Sequence, residues 1–313
     1  MNVITDGDNG SVELRHLEYF LAVADHLSFT RAAKRLHVVQ SGVSATIKAL
    51  ERELGADLFV RGPAGVALTP AGRELEPHAR AAVDAARAGK EAVAARLGAI
   101  SGTVKLGTLM SINNVDLPAL LADLRARHPG VLVQFRFARA GSAGLAQQLR
   151  DGDLDVALLV FPDGPPPDLH SRLVAAFPLL LIVPAGHPLA GRESVALAEL
   201  AGMSFVDGPP GYGDRAVVDR AFAAAGVERT VALEVADIAT TATHVRNGLG
   251  IGFLSRFILD EIGDDGLATV RISDYDLCWR LYVAMSATRP PTAATRAVFS
   301  LIEEMIPDSV GPA

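Results

Sequence analysis

Between residues 14 and 54 the apolar positions fall into helical stripes separated by short breaks. Leu14, Leu17, Leu21 and Ala24, widened by Phe20 and Leu27, predict one amphipathic helix over 14–27. Ser28 suits an N-cap, and behind it Ala32, Ala33 and Leu36 face inward on a short second helix that leaves Thr30 and Arg31 outside. After a break at 37–39, Val43, Ile47, Leu50 and Leu54 keep an i, i+4, i+7, i+11 spacing up to Gly55, a natural helix stop. At about 100° per residue this stripe puts Ser41, Ser44, Ala45, Lys48 and Arg52 on the opposite side of the third helix. That side is small, polar and basic. Such a face can lie in a major groove, with hydroxyls to base edges and cations to phosphates; it equally suits a helix turned to water.

Thr69 and Pro70 form an N-cap and first-turn pair, because proline's missing N–H is not needed there. Leu75, Ala79, Ala82, Ala86, Val93 and Leu97 then keep one face apolar, which predicts a helix over 70–97 of about 40 Å. Its alanine-rich seam lets a second helix approach closely; an ordinary surface helix is the other reading.

The period changes at Thr103. Val104 and Leu106 open a strand, Leu117, Leu120, Leu121 and Leu124 a helix, and Val131, Val133, Phe135 and Phe137 a second strand. A helix over 145–150 and a strand over 154–161 follow. After the proline-rich stretch 162–167 the alternation restarts, with strands at 179–183, 204–207, 231–235 and 251–254 and helices at 197–200, 215–225 and 238–247. Strands alternating with helices predict a parallel α/β sheet, and the restart predicts two lobes.

Half of the 313 residues are hydrophobic, enough for two cored domains, and the longest apolar runs stop far short of the ~20 residues that span a bilayer. The first thirty residues hold Asp6, Asp8 and Glu13 where a secretory signal needs an uninterrupted apolar stretch, so a cytoplasmic protein is expected. The single cysteine, Cys278, excludes an intramolecular disulfide and reads as a small core residue. Residues 1–100 carry twelve Lys/Arg and twelve Asp/Glu, so the whole net charge of -7 lies after residue 100. Within 28–61, six basic residues face three acidic ones. A positive module joined to an acidic body suits a chain that meets nucleic acid at one end.

The stretch 17–72, LEYFLAVADHLSFTRAAKRLHVVQSGVSATIKALERELGADLFVRGPAGVALTPAG, resembles the DNA-binding domain of LysR-type transcriptional regulators nearly end to end. LDVALLVFPDG, LLLIVPAGHPLA and VADIATTATHVRNGLGIGFLS are similar to parts of that family's effector domains, which share the fold of type 2 periplasmic solute-binding proteins. The resemblance implies a winged helix-turn-helix over 1–69, a dimerising linker helix over 70–98 and a two-lobed α/β effector domain over 99–313. Lobe I would hold 99–161 and 267–307, and lobe II 162–266. It further implies that Thr30, Arg31, Gln40, Ser41, Ser44, Ala45, Thr46 and Lys48 face DNA and that Arg61 holds the phosphate backbone from the wing. The family usually has Pro where Ser41 stands and Arg where Ala45 stands, so operator preference is expected to shift. The implied partners are double-stranded promoter DNA, a second copy or three more in a homodimer or homotetramer, and RNA polymerase, with no membrane.

Ligands of open α/β sheets lie beyond the carboxyl ends of strands, near helix N-termini that favour anions. Such ends here offer Thr108, Met110, Ser111, Ser142, Gly208, Tyr212, Ile238 and Thr240, which are expected to line an interlobe cleft; each hydroxyl also suits a helix cap. The family often binds small carboxylates or aromatic acids, so a co-inducer of that class is expected, with no cofactor; Arg139 is a candidate partner for its carboxylate. Other chemistry finds no support. GLGIG at 248–252 follows a helix and precedes a strand, the reverse of a dinucleotide fingerprint. The eight histidines show no metal-ligand spacing, and Gly141-Ser142-Ala143-Gly144 lacks the spacing of a nucleophile elbow. A solute-binding protein or an enzyme on the same scaffold would need a signal peptide or catalytic residues, so a regulator is expected and an enzyme is not.

Overall fold

The computed structural model describes residues 12–62, 65–96, 100–109, 115–137 and 140–306. The chain divides into two compact units, residues 1–92 and 93–313.

In the first unit, α1 (Leu14–His26), α2 (Phe29–Leu36) and α3 (Gln40–Leu54) bury the predicted stripes. Phe20, Val23, Ala32, Val43, Ile47 and Leu50 have almost no exposed surface. Leu27 and His37 end α1 and α2 in the left-handed region, with φ of 43° and 56°. These residues reverse the chain within one or two positions, and Ser28 Oγ accepts from Arg31 N at 3.3 Å to start α2. The stripes are shorter than expected: Leu14, Leu27 and Leu54, at helix ends with no neighbouring helix to cover them, are exposed.

A hairpin follows, β1 (Phe59–Gly62) paired antiparallel with β2 (Gly65–Leu68). Glu51 of α3 holds its base: one carboxylate oxygen accepts from Leu58 N at 2.8 Å and from Phe59 N at 3.3 Å. The Phe59 ring packs on Phe20 and Phe29 with centroids 5.4 and 5.8 Å apart. Thr69 then caps α4 (Pro70–Arg96), accepting from Gly72 N at 3.0 Å and donating to Asp57 O at 2.6 Å. Only glycine fits at 72, since a Cβ there would lie 2.2 Å from Leu58 O. Of the expected apolar face, Ala79 is buried and Leu75 packs beside it, joined by Val83. Ala82, Ala86 and Val93 stay exposed, and Leu97 lies outside the described residues.

The second unit begins with β3 (Ser101–Thr108), α5 (Leu117–Arg127), β4 (Gly130–Phe137), α6 (Gly141–Asp151) and β5 (Val156–Val160). Next come β6 (Leu169–Pro184), β7 (Ser194–Val195), a 3-10 turn over Leu197–Leu200, β8 (Ser204–Asp207), α7 (Gly213–Ala224) and β9 (Thr230–Glu234). The rest is α8 (Ile238–Arg246), β10 (Gly252–Ser255), α9 (Arg256–Ile262), β11 (Leu267–Ile272), β12 (Cys278–Ser286) and α10 (Ala293–Glu304). β3 pairs with β4 and β5 in parallel, as the alternation predicts. The sheet as a whole is mixed, because β12 runs antiparallel to both β5 and β6.

The sixteen residues of β6 serve both halves of this unit. Residues 169–178 pair with β12, and residues 179–184 pair with β10 and β11. Pro178, which has no N–H for a ladder, stands where the β12 pairing ends and the β10 pairing begins. The expected lobe limits therefore need correction. The chain crosses inside β6 near 177–178, later than residue 161. β11, placed by sequence in the first lobe, hydrogen-bonds to the far half of β6 and to β7, so the return falls between β11 and β12.

Removing the Glu51 carboxylate leaves two backbone donors without acceptors, each costing about 1–3 kcal/mol where water does not replace it. Glu51→Ala is expected to destabilise the first unit by about 2 kcal/mol on that basis. Urea unfolding followed by far-UV circular dichroism, with Glu53→Ala as control, reads the difference.

Candidate functional sites

The outer side of α3 carries the residues that sequence placed there. Gln40, Ser41, Ala45 and Lys48 are exposed, and Ser44 and Thr46 are half-buried. Gln40 Nε2 donates to Ser44 Oγ at 3.0 Å across one turn, and Arg52 Nε donates to the Lys48 carbonyl at 3.2 Å. These bonds order the polar side chains along the helix. Thr30 and Arg31 are exposed at the start of α2, where Arg31 Nη2 donates to the His26 carbonyl at 2.5 Å. Arg61 lies on β1 opposite Val66; its side chain is outside the described residues.

The second site is a cleft in the second unit, lined by Leu109, residues 207–208 and 212–215, Val235, Thr241, Phe253, Phe257 and Trp279. β8 ends at Asp207, and the following loop leans on α6: Gly141 has φ 61°, and a Cβ there would lie 2.2 Å from Gly211 O. The walls are aromatic, with Phe257 and Trp279 centroids 5.2 Å apart.

The floor is charged. Asp207 is 5% exposed; its Oδ1 accepts from Gly208 N at 2.7 Å, and its Oδ2 lies 2.7 Å from Arg229 Nη2. Arg229 also reaches Asp219 Oδ1, at 2.6 Å through Nη2, and stands over the Phe205 and Phe222 rings. Arg215 donates to Asp219 Oδ2 at 2.6 Å and to the Gly208 carbonyl at 3.0 Å. Burial pushes the Asp207 carboxyl up, against the pull of Arg229. Asp214, half-buried in the first turn of α7, is pushed up to about 7, first by desolvation and then by the charge of Asp207, against a bond from the Trp279 side chain.

Of the residues that sequence assigned to this cleft, Gly208 and Tyr212 line it. Ser142 does not: it is buried, and its Oγ accepts from Val160 N at 3.0 Å, pinning α6 to β5. Thr240 lies in the first turn of α8 and its hydroxyl donates to Oδ2 of the capping Asp237 at 2.5 Å, and Thr108 is buried with its hydroxyl on the next carbonyl. For these hydroxyls the capping or structural role is the one found, and the cleft assignment is corrected. Ile238 opens α8, but its side chain lies outside the described residues, as do Met110, Ser111 and Arg139. The strand end 237–241, expected at the cleft, supplies Thr241; sequence reasoning missed Asp214, Phe253, Phe257 and Trp279, which meet only through the tertiary fold, and the Asp-flanked DGPPGYGD run was the one local signal.

Family models match both units: a bacterial regulatory helix-turn-helix of the lysR family over residues 14–73, and a LysR substrate binding domain over residues 97–306. The chain belongs to the LysR family. The RuBisCO operon transcriptional regulator of Allochromatium vinosum is 31% identical over 93% of this chain and 96% of its own length. A point variant of full-length OxyR from Pseudomonas aeruginosa superposes with a TM-score of 0.70 over 94% of this chain and 95% of its own, at 23% identity. The effector binding domain of QuiR in complex with shikimate superposes with a TM-score of 0.56 over 66% of this chain and 97% of its own, at 17% identity. This LysR chain is thus a DNA-binding transcriptional regulator with an effector-binding domain, in a family of regulators rather than enzymes. Among the described residues no helix is long and apolar enough to cross a membrane.

Asp214 gives the effector unit a pH signature. Folded, it holds its proton up to a pH of about 7, whereas an ordinary aspartate titrates near 3.8, so folding takes up a proton between roughly pH 4 and 7. Stability from this group therefore falls as pH rises through that window and stays lost above it. Asp214→Asn keeps the neutral form, so it is expected to melt higher than the parent at pH 8 and equal to it near pH 4. Differential scanning fluorimetry at both values checks this; an equal difference at both contradicts it.

Proposed function

We propose that residues 1–69 read promoter DNA through the outer side of α3, that residues 70–98 pair two copies, and that residues 99–313 report the presence of a small molecule. The observation that carries this reading is the two-sided character of α3. Val43, Ile47 and Leu50 are sealed in the core, while Gln40, Ser41, Ala45 and Lys48 stand free on the other side. Ser44 and Thr46 flank that face, and Thr30 and Arg31 extend it from α2. Arg61, placed on the hairpin by its backbone, is the phosphate contact that the family resemblance implies. With Ser41 and Ala45 small, the helix can sit close to the base edges, and sequence preference comes from short hydroxyl and methyl contacts.

The exposed Ala82, Ala86 and Val93 of α4 support pairing with the same helix of a second copy, in a homodimer or in a homotetramer built from two dimers. Promoter binding places the regulator with the chromosome in the cytoplasm, and contact with RNA polymerase is the means by which it would activate. The effector is a compact molecule with an apolar or aromatic body, matched to the Phe253, Phe257 and Trp279 walls. A carboxylate or aromatic acid is the class that the family resemblance favours, and the shikimate complex of QuiR supports it. The groups lining this chain's own cleft favour the opposite charge, as argued below.

Lys48→Ala is expected to weaken binding to specific and unspecific DNA alike and to lower the slope of log affinity against log salt by about 1, the mark of one lost phosphate contact. Gel-shift titrations at several salt concentrations measure it. An unchanged slope removes Lys48 from the interface.

A further inference from the structure

We infer that the cleft takes a small amine, its protonated nitrogen set between Asp207 and Asp214 and its apolar or aromatic body against Phe253, Phe257 and Trp279. This rests on the reading of the cleft as the effector site and adds the chemical class of the effector.

The first support is the charge around the cleft. Among the described residues, four carboxylates, Asp207, Asp214, Asp219 and Glu234, surround two guanidinium groups, Arg215 and Arg229. Both guanidinium groups are held in ion pairs, with Arg229 Nη1 left without a hydrogen-bond partner. Arg229 is 4% exposed and bound to Asp207 and Asp219 beneath the cleft. Arg215 is tied to Asp219 and to the Gly208 carbonyl. An incoming carboxylate would meet an excess of like charge, whereas a cation would neutralise it.

The second support is an acceptor without an aligned donor. Asp207 lines the cleft, and its buried Oδ2 pairs by charge with Arg229 Nη2, 2.7 Å away, without a hydrogen bond of ordinary geometry. Buried polar atoms are normally satisfied, and the Asp207–Arg229 pair leaves one acceptor and one donor open; the acceptor is the one on a residue that lines the cleft. An ammonium carries three donors, enough for both carboxylates. The aromatic walls suit the same ligand, because ring faces attract cations.

The third support is that the helix ends that would attract an anion are filled by the chain itself. Ala143 N, in the first turn of α6, points to Gly211 O at 3.4 Å. α7 has Asp214 in its first turn, and α8 has Asp237 accepting from Thr240 N at 2.8 Å. The N-terminal field that draws anions in this fold class is spent on these acceptors.

Asp214, with a carboxyl pushed up to about 7, adds a dependence on pH. It is faced by Asp207 from β8 and Trp279 from β12, with Arg215 and Arg229 paired to Asp207 and Glu234 paired to Arg215. A bound cation favours its ionised form, so affinity rises with pH through neutrality.

The test uses the purified full chain with benzylamine, benzoate and benzyl alcohol as probes, read by thermal shift and calorimetric titration at pH 6 and 8. Benzylamine is expected to bind saturably, about tenfold more tightly at pH 8 than at pH 6, the ratio of ionised Asp214 at the two values. Asp214→Asn is expected to lose at least tenfold in affinity while melting as a folded protein. Tighter binding of benzoate than benzylamine, an Asp214→Asn affinity equal to the parent's, or no response to any probe would overturn the assignment. Operator gel shifts of the parent without probe report separately on the regulator reading, which survives any of these failures.

Discussion

The burial of one side of α3 is the constraint from which the rest of the DNA-binding unit follows. Val43, Ile47 and Leu50 are fully enclosed by α1 and α2, so the helix cannot rotate without exposing them. Each such side chain contributes roughly 1.5–3 kcal/mol when removed from water, which fixes the helix's rotation far more firmly than any surface bond. The opposite side is thereby held outward with its polar residues in register. Glu51, from the same helix, ties the base of the hairpin to it through the Leu58 and Phe59 amides.

In the effector unit the corresponding element is β6. One strand supplies hydrogen-bonding edges to β12 along its first part and to β10 and β11 along its second, with Pro178 at the change of partners. Two bodies joined through a continuous strand can rock against each other without breaking either core. A ligand between them shifts that equilibrium only by its difference in affinity for the two states, commonly about 1–3 kcal/mol. On the proposed reading the cleft supplies such a difference through the buried Asp207–Arg229 pair and the aromatic side chains beside it, since charges removed from bulk solvent are weakly screened.

Much of this was legible in the sequence. The three helices of the reader, the Ser28 and Thr69 caps and the two-sided α3 came from spacing and residue type alone, since local periodicity encodes them. The long first part of β6 was not legible, because the mixed run LHSRLVAAFP lacks strict alternation and ends in proline, which reads as a break. The placement of β11 was hidden for another reason: strand pairing over about eighty residues leaves no local trace. The cleft shows the same division. Gly208 and Tyr212 follow from the rule that ligands gather beyond strand ends, whereas Asp214, Phe257 and Trp279 come from separate segments and meet only on folding. Ser142 and Thr240 show the converse, hydroxyls at the expected ends whose bonds are spent on the chain's own backbone and caps.

The central claim is that the free side of α3 is the surface that lies against DNA. Site-specific photo-crosslinking measures it most directly, with a photoreactive side chain placed at Ser41 or at the exposed Glu74 of α4 and a DNA fragment that the full chain protects from nuclease. Strong crosslinks from position 41, competed by the same fragment but not by bulk DNA, with none from position 74, are the result this account requires. Equal yields from the two positions, or crosslinks from position 74 alone, would contradict it.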